Sequence, residues 1–222
     1  MTQDVQNYCL LCINMLLRIN PDNIQTDDIY RITRVLEDNG VIIYPTDSVY
    51  AMACSLNSPK GIEKLSQLKK TTPDKLNLSL ICSDLSHLSE YTKPIPNSIF
   101  RIMKKALPGP YTFILPASGQ VPKLFLKQNK KTIGIRVPDN SICKEIVTLL
   151  GCPLVSTSLH SIDDEVVEYF TEPETIYLHY ANEVDAVVDG GYGNLYPTTV
   201  IDCTEQEPVV IREGLGDLSV LE

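Results

Sequence analysis

Short β-branched apolar runs alternate with segments of helical periodicity along this chain, and the reading that buries every run is a layered α/β sandwich. Residues 15–20 read as a strand closed by the turn Asn20-Pro21-Asp22-Asn23. Residues 26–39 read as a helix capped by Thr26, with Ile29, Ile32, Val35 and Leu36 on one face and Gly40 as its stop. A strand at 41–44, a helix at 60–69 and a strand at 78–82 follow, then a helix at 96–105 that Pro108-Gly109-Pro110 separates from a strand at 111–115. Further on, the strand 132–137, the helix 141–150 ended by Gly151, and the strand 154–157 complete the pattern. The acidic stretch 163–175 is expected to be a loop with a partial helix, and the runs 186–188, 199–202 and 209–212 to be antiparallel additions. A mixed sheet with helices on its faces is the expected fold, in a single domain over residues 1–222, because no repeat or linker divides the chain.

The net charge of −9 argues against a polyanionic partner until its distribution is considered. Residues 60–144 hold 15 of the 19 Lys and Arg and 5 of the 28 acids, a local balance of +10 against −19 elsewhere. A region of that sign suits phosphate, and Lys104, Lys105, Lys130 and Lys131 are the residues a duplex RNA would meet; solvated helix and loop faces are the alternative. The seven cysteines are odd in number and sit among apolar neighbours, as small hydrophobes do. Cys9 and Cys12 form a CxxC with no second pair or nearby histidine to complete a zinc site. No apolar run reaches the roughly 20 residues of a membrane helix, so no membrane partner is expected and the expected location is the cytoplasm.

Chemistry is expected where apolar strands run out into polar residues. In "GVIIYPTDSVYAMAC" a core strand delivers Thr46, Asp47, Ser48 and Tyr50 to one point. "TIGIRVPD" places Arg136 on a strand built for burial, where a guanidinium requires an anion. "PLVSTSLHS" runs into Ser156 and Ser158, "YPTTVIDC" carries Thr198 and Thr199, and "PVVIREG" ends on Arg212. In sheets of this class, strand ends are where a rigid frame aims side chains and loops leave access. With Lys69, these groups suit a phosphate and a small polar ligand. For each a structural role stays open: Thr46, Asp47 and Ser48 as turn caps, Arg136 paired with Asp139 or Asp202, Arg212 in a surface ion pair. Ser156 or Ser158 with His160 lacks a third member and the spacing of a nucleophile and base, and "DGGYGN" lacks the lysine of a phosphate loop and reads as a turn.

At these positions the sequence resembles the YrdC/YciO family, whose better-known members are threonylcarbamoyl-AMP synthases of tRNA modification. The resemblance rests on "YPTDSVYAMAC", "LKK", "PGPYTFIL", "TIGIRVPDN", "PLVSTS", "PTTVID" and "VVIREGLGD", in family order, and the wording is nearest the YciO branch. It implies a twisted, mostly open sheet with a basic cavity, ATP as substrate with Mg2+ on its phosphates, and tRNA or double-stranded RNA as a partner. Carried over, Thr46, Asp47, Ser48 and Tyr50 would adjoin the amino acid, while Lys69, Arg136, Ser156, Ser158, Thr199 and Arg212 would meet the nucleotide and carboxylate. This chain departs from the pattern at Lys69-Lys70-Thr71, where the family has lysine-x-arginine, and at Ser158-Leu159-His160, where it has Ser-Ala-Asn. An RNA-binding protein without adenylation activity is the alternative function.

Overall fold

The computed structural model describes residues 15–72, 76–122, 131–159 and 169–221. The Cys9–Cys12 pair, Lys130, His160 and residues 163–168 of the acidic stretch lie outside them. Chain order runs β1 (Met15–Arg18), α1 (Thr26–Glu37), β2 (Ile42–Tyr44), β3 (Ala51–Ser55), α2 (Pro59–Leu68) and β4 (Ser79–Ile81). It continues through α3 (Leu85–Leu88), α4 (Asn97–Ala106), β5 (Tyr111–Pro116), β6 (Thr132–Arg136), α5 (Ser141–Leu150) and β7 (Leu154–Ser158). Helix α6 (Pro173–Tyr180), β8 (Ala186–Asp189), β9 (Thr199–Asp202), β10 (Val209–Arg212) and a 3-10 turn at Leu218–Leu221 close it.

The ten strands form one mixed, open, twisted sheet in the order β1-β8-β2-β3-β7-β4-β6-β5-β9-β10. Of the three closing strands only β10 is an antiparallel addition; β8 pairs parallel with β1 and β2, and β9 parallel with β5. A parallel partner brings burial, so these short runs are structural members of the sheet rather than trim. Helix α1 starts one residue earlier than a Thr26 cap requires: Thr26 is its first helical residue, and Gln25 is the cap and makes no side-chain bond. Asn140 accepts from the Cys143 amide at the start of α5, and Gly151, at φ 69, ends that helix in the left-handed conformation glycine adopts freely.

Alternation divides the sheet into two faces. On one, Ile43, Met52, Leu80, Phe113, Leu115, Ile133, Ile135 and Ile201 join a cluster fed by α2, α3, α4 and α6. It runs under the sheet from β1 to β9. On the other, Ile42, Tyr44, Ala51, Ala53, Ile81 and Leu154 pack under Ile29, Ile32 and Leu36 of α1 and Ile142, Ile146 and Val147 of α5. That second cluster contains no residue of β5, β6, β9 or β10. Among the described residues no apolar cluster joins the rest of that face, whose side chains include Ser79, Thr112, Ile114, Gly134, Arg136, Thr198, Val200, Asp202 and Arg212, with Thr112, Arg136 and Thr198 themselves buried.

Candidate functional site

The Pro45 ring cannot donate to the sheet, so pairing ends at Tyr44 and the chain turns before entering β3. Thr46 shapes this turn: its hydroxyl donates to the Val49 carbonyl at 2.8 Å and accepts from the Ser48 amide at 3.0 Å. Arg136, the last residue of β6, points at the same turn. One guanidinium nitrogen donates to Asp47 Oδ1 at 2.8 Å and to Ser48 Oγ at 3.1 Å. The Asp139 amide donates to the other oxygen, Asp47 Oδ2, at 2.9 Å. The buried charge is thus answered by Asp47 rather than by the Asp139 or Asp202 carboxylate, and the pair is shut in, with side-chain exposures of 9% and 7%. Arg136 Nε is buried with no partner, a donor left over in the middle of the site.

Arg212 reaches the same face from the sheet edge. Its Nε and one terminal nitrogen donate to the Thr198 carbonyl at 3.2 and 3.0 Å, and the Thr198 hydroxyl in turn bonds Thr112 at 2.8 Å. Register and these bonds put Arg136 and Arg212 on one side of the sheet. Thr199 is turned the other way; it is fully buried, donates to the Gly216 carbonyl and accepts from the Gly214 amide. Its neighbour Thr198 is the hydroxyl that shares the face with Arg212. Ser156 donates to the Met52 carbonyl at 3.2 Å, so the Tyr44 hydroxyl donates to Ser156 Oγ at 2.8 Å, and burial pushes the Tyr44 phenol far above its ordinary value. Ser158, half-buried, ends β7 opposite Ala51.

Lys69 follows α2 as its C-cap. That helix starts beside Cys54, at the far end of β3, and packs back along the strand, which brings Lys69 to the end of the sheet where Tyr50 enters. The lysine is 7% exposed, and burial pulls its amine down to about 8, with no carboxylate among the described residues to offset the loss of water. A cation held this way is stabilised by any anion that reaches it.

A cavity of about 430 Å³ opens beside the turn, lined by Thr46, Asp47 and Ser48 on one side and Tyr192, Gly193, Asn194 and Leu195 on the other. Tyr50 is buried behind it and clasps the second wall, its hydroxyl donating to the Gly191 carbonyl at 2.6 Å. Sequence reasoning missed that wall, having taken 189–194 for a plain turn. The signal available was a tyrosine and a leucine set among three glycines directly after a strand. Lys104 and Lys105 are on α4, whose Ile99, Met103 and Ala106 pack on the fully covered face, so they stand across the sheet from this cavity. Lys131 is exposed just ahead of β6. Among the described residues no group of three or more His, Cys, Asp or Glu gathers as a metal site, and no helix is long and apolar enough to cross a membrane.

This fold and these residues define a class. Residues 34–214 match the Sua5/YciO/YrdC family model, described under the heading of telomere recombination, and the chain belongs to that family. It is 42% identical over 200 residues to the YciO protein of Escherichia coli K12, spanning 90% of this chain and 95% of that one. The crystal structure of E. coli YciO superposes with a TM-score of 0.86 at 41% identity, covering 94% of this chain and all of the other. A threonylcarbamoyl-AMP synthase of Halorhodospira halophila is 28% identical over 179 residues, 81% of this chain and 86% of its own. The crystal structure of P. abyssi Sua5 complexed with L-threonine shares the fold at a TM-score of 0.82 and 22% identity, over 90% of this chain and 57% of the larger protein.

Proposed function

We propose that this chain is an ATP-dependent nucleotidyltransferase that forms threonylcarbamoyl-AMP, or a related acyl adenylate, from threonine, bicarbonate and ATP for tRNA modification. The observation that carries the reading is the placement, on one side of the sheet, of Arg136, bonded to the Asp47–Ser48 turn that lines the cavity, and of Arg212, bonded to the linked hydroxyls of Thr198 and Thr112. The family's threonylcarbamoyl-AMP synthases and the L-threonine held by a protein of the same fold support it.

In this reaction the threonine nitrogen bonds to the carbon of carbon dioxide drawn from bicarbonate and loses a proton, giving a carbamate. A carbamate oxygen then bonds to the α-phosphorus of ATP while the bond to the bridging oxygen breaks, and pyrophosphate leaves with that electron pair. Magnesium bound to the triphosphate neutralises its charge. The protein's share is positioning and positive charge: the Lys69 ammonium and the Arg212 guanidinium face the phosphates, Ser156 and Ser158 take polar contacts, and Arg136 holds the amino-acid turn through Asp47 and Ser48. No nucleophilic side chain is needed. Purified protein with ATP, threonine, bicarbonate and magnesium is expected to release pyrophosphate only when threonine is present. Threonine-independent release, or none, overturns the proposal.

A second reading, RNA binding without adenylation, is favoured by a separate observation. Residues 91–138 contain nine Lys and Arg and not one acid, and α4 turns Phe100, Arg101, Lys104 and Lys105 to solvent. Cations at helical spacing with an aromatic between them suit an RNA backbone and its bases.

A further inference from the structure

The loop 190–197 keeps large apolar side chains in water: Tyr192 is 80% exposed, Tyr196 64% and Leu195 63%. The backbone beneath them is tied down at several points. The Gly191 amide donates to Asp189 Oδ1 at 3.0 Å, the Gly193 amide to the Thr171 carbonyl at 2.8 Å and the Asn194 amide to the Ser48 carbonyl at 3.1 Å. Gly193 lies so close to the Tyr50 ring that a Cβ there would stand 2.6 Å from it. Rigid backbone bearing exposed apolar groups is what a binding wall requires, because burying those groups against a ligand returns free energy with little ordering cost.

The two walls of the cavity differ in kind. Thr46, Asp47 and Ser48 form a polar wall whose side chains are held by one another and by Arg136, whereas Tyr192 and Leu195 offer a ring and a branched alkyl group. A ligand between them has to be polar on one flank and apolar on the other. We infer that Tyr192 and Leu195 determine amino-acid selectivity: they pack on the methyl and larger alkyl groups of the side chain, prefer threonine to serine, and admit valine and isoleucine. The inference rests on the acyl-adenylate reading and specifies its substrate class.

Two measurements test it, and they separate its failure from the failure of that reading. The first is kcat/KM for pyrophosphate release with serine, threonine, valine and isoleucine, for the wild type, Tyr192→Ala, Leu195→Ala and Tyr192→Phe. The second is the thermal shift produced by each amino acid without ATP. One methyl in an apolar pocket is worth roughly tenfold or more, so the wild type is expected to favour threonine over serine by at least that factor. Both alanine variants are expected to bring the ratio towards one, while Tyr192→Phe keeps it; the exposed positions let all three fold. A ratio near one in the wild type, or one unmoved in both alanine variants, overturns the inference even if threonine-dependent release is robust. If no amino acid elicits release but thermal shifts rank them in the same order and the alanine variants erase the ranking, the selectivity wall stands and adenylation falls. Neither shift nor release overturns both.

Discussion

Two halves of one sheet face have opposite fates. Over β1, β8, β2, β3 and β7 that face is apolar and roofed by α1 and α5, with Ile32, Leu36, Ile42 and Ile146 wholly buried. Over β6, β5, β9 and β10 the same face carries threonines, a glycine, aliphatics, Asp202 and two arginines, and no residue of these strands joins that cluster. The opposite face carries one continuous apolar cluster from β1 to β9, so the sheet is held together from behind on both halves. The difference separates stability from recognition: one half supplies the buried area, the other the polar contacts, and each can be altered with limited damage to its neighbour.

The seam between the halves is where interference is expected to cost most. Arg136 is in register with Ile81 at the edge of the apolar cluster, and its partner Asp47 is equally buried. Arg136→Met leaves a buried carboxylate without its cation and is expected to cost about 3–5 kcal/mol in urea unfolding. Adding Asp47→Asn is expected to restore most of that. A single variant as stable as the wild type would mean that the pair is not the buckle between the halves. Within the roofed half, Ile32→Ala is expected to cost about 2–5 kcal/mol through the cavity it leaves. Val200→Ala, on the open half, is expected to cost less than about 1 kcal/mol. Equal losses at Ile32 and Val200 would erase the contrast.

Much of this division was legible in the sequence. The alternation in "TIGIR" put Ile133 and Ile135 on one side and Arg136 on the other, and the strand ends named Thr46, Ser48 and Arg212 as neighbours of a single face. What escaped was non-local or compositionally faint. Ala51–Ser55 is the wholly buried centre of the sheet, yet alanines and a cysteine carry little strand propensity, and the sequence pattern assigns no strand there. The acid that meets Arg136 is 89 positions away, and no spacing rule selects Asp47 over Asp139 or Asp202. Thr198 and Thr199 look interchangeable until pairing decides which hydroxyl faces the arginine.

Lys69 sharpens the comparison differently, because it is a proposed phosphate contact buried as deeply as a core residue. Its amine is lowered from the ordinary lysine value to about 8. Below that pH the folded protein carries a charge with no partner. Between about 8 and the ordinary value the unfolded chain binds more protons than the folded one, so stability is expected to rise with pH, by at most about 1.4 kcal/mol per unit. Nucleotide affinity is expected to fall over the same interval, as the ammonium that meets the phosphates is lost. Lys69→Met is expected to weaken ATP binding by about tenfold, leave thermal stability unchanged or raised, and remove both pH slopes. Stability and affinity moving together with pH would show that Lys69 serves the fold rather than the ligand.

The smallest expected effect concerns the face across the sheet. Lys104 and Lys105 are exposed in the last turn of α4, so Lys104→Gln with Lys105→Gln is expected to change stability by no more than about 0.5 kcal/mol. Pyrophosphate release is expected to be unaffected, because the bases of these side chains stand behind the covered face. If duplex RNA docks on α4, its affinity falls and the slope of log affinity against log salt flattens by roughly two, one for each phosphate contact removed. An unchanged slope would move any RNA contact to the open half, where it would compete with ATP for Arg212 and Lys69; adding ATP at saturation then separates the two placements, since only RNA on the open half is displaced.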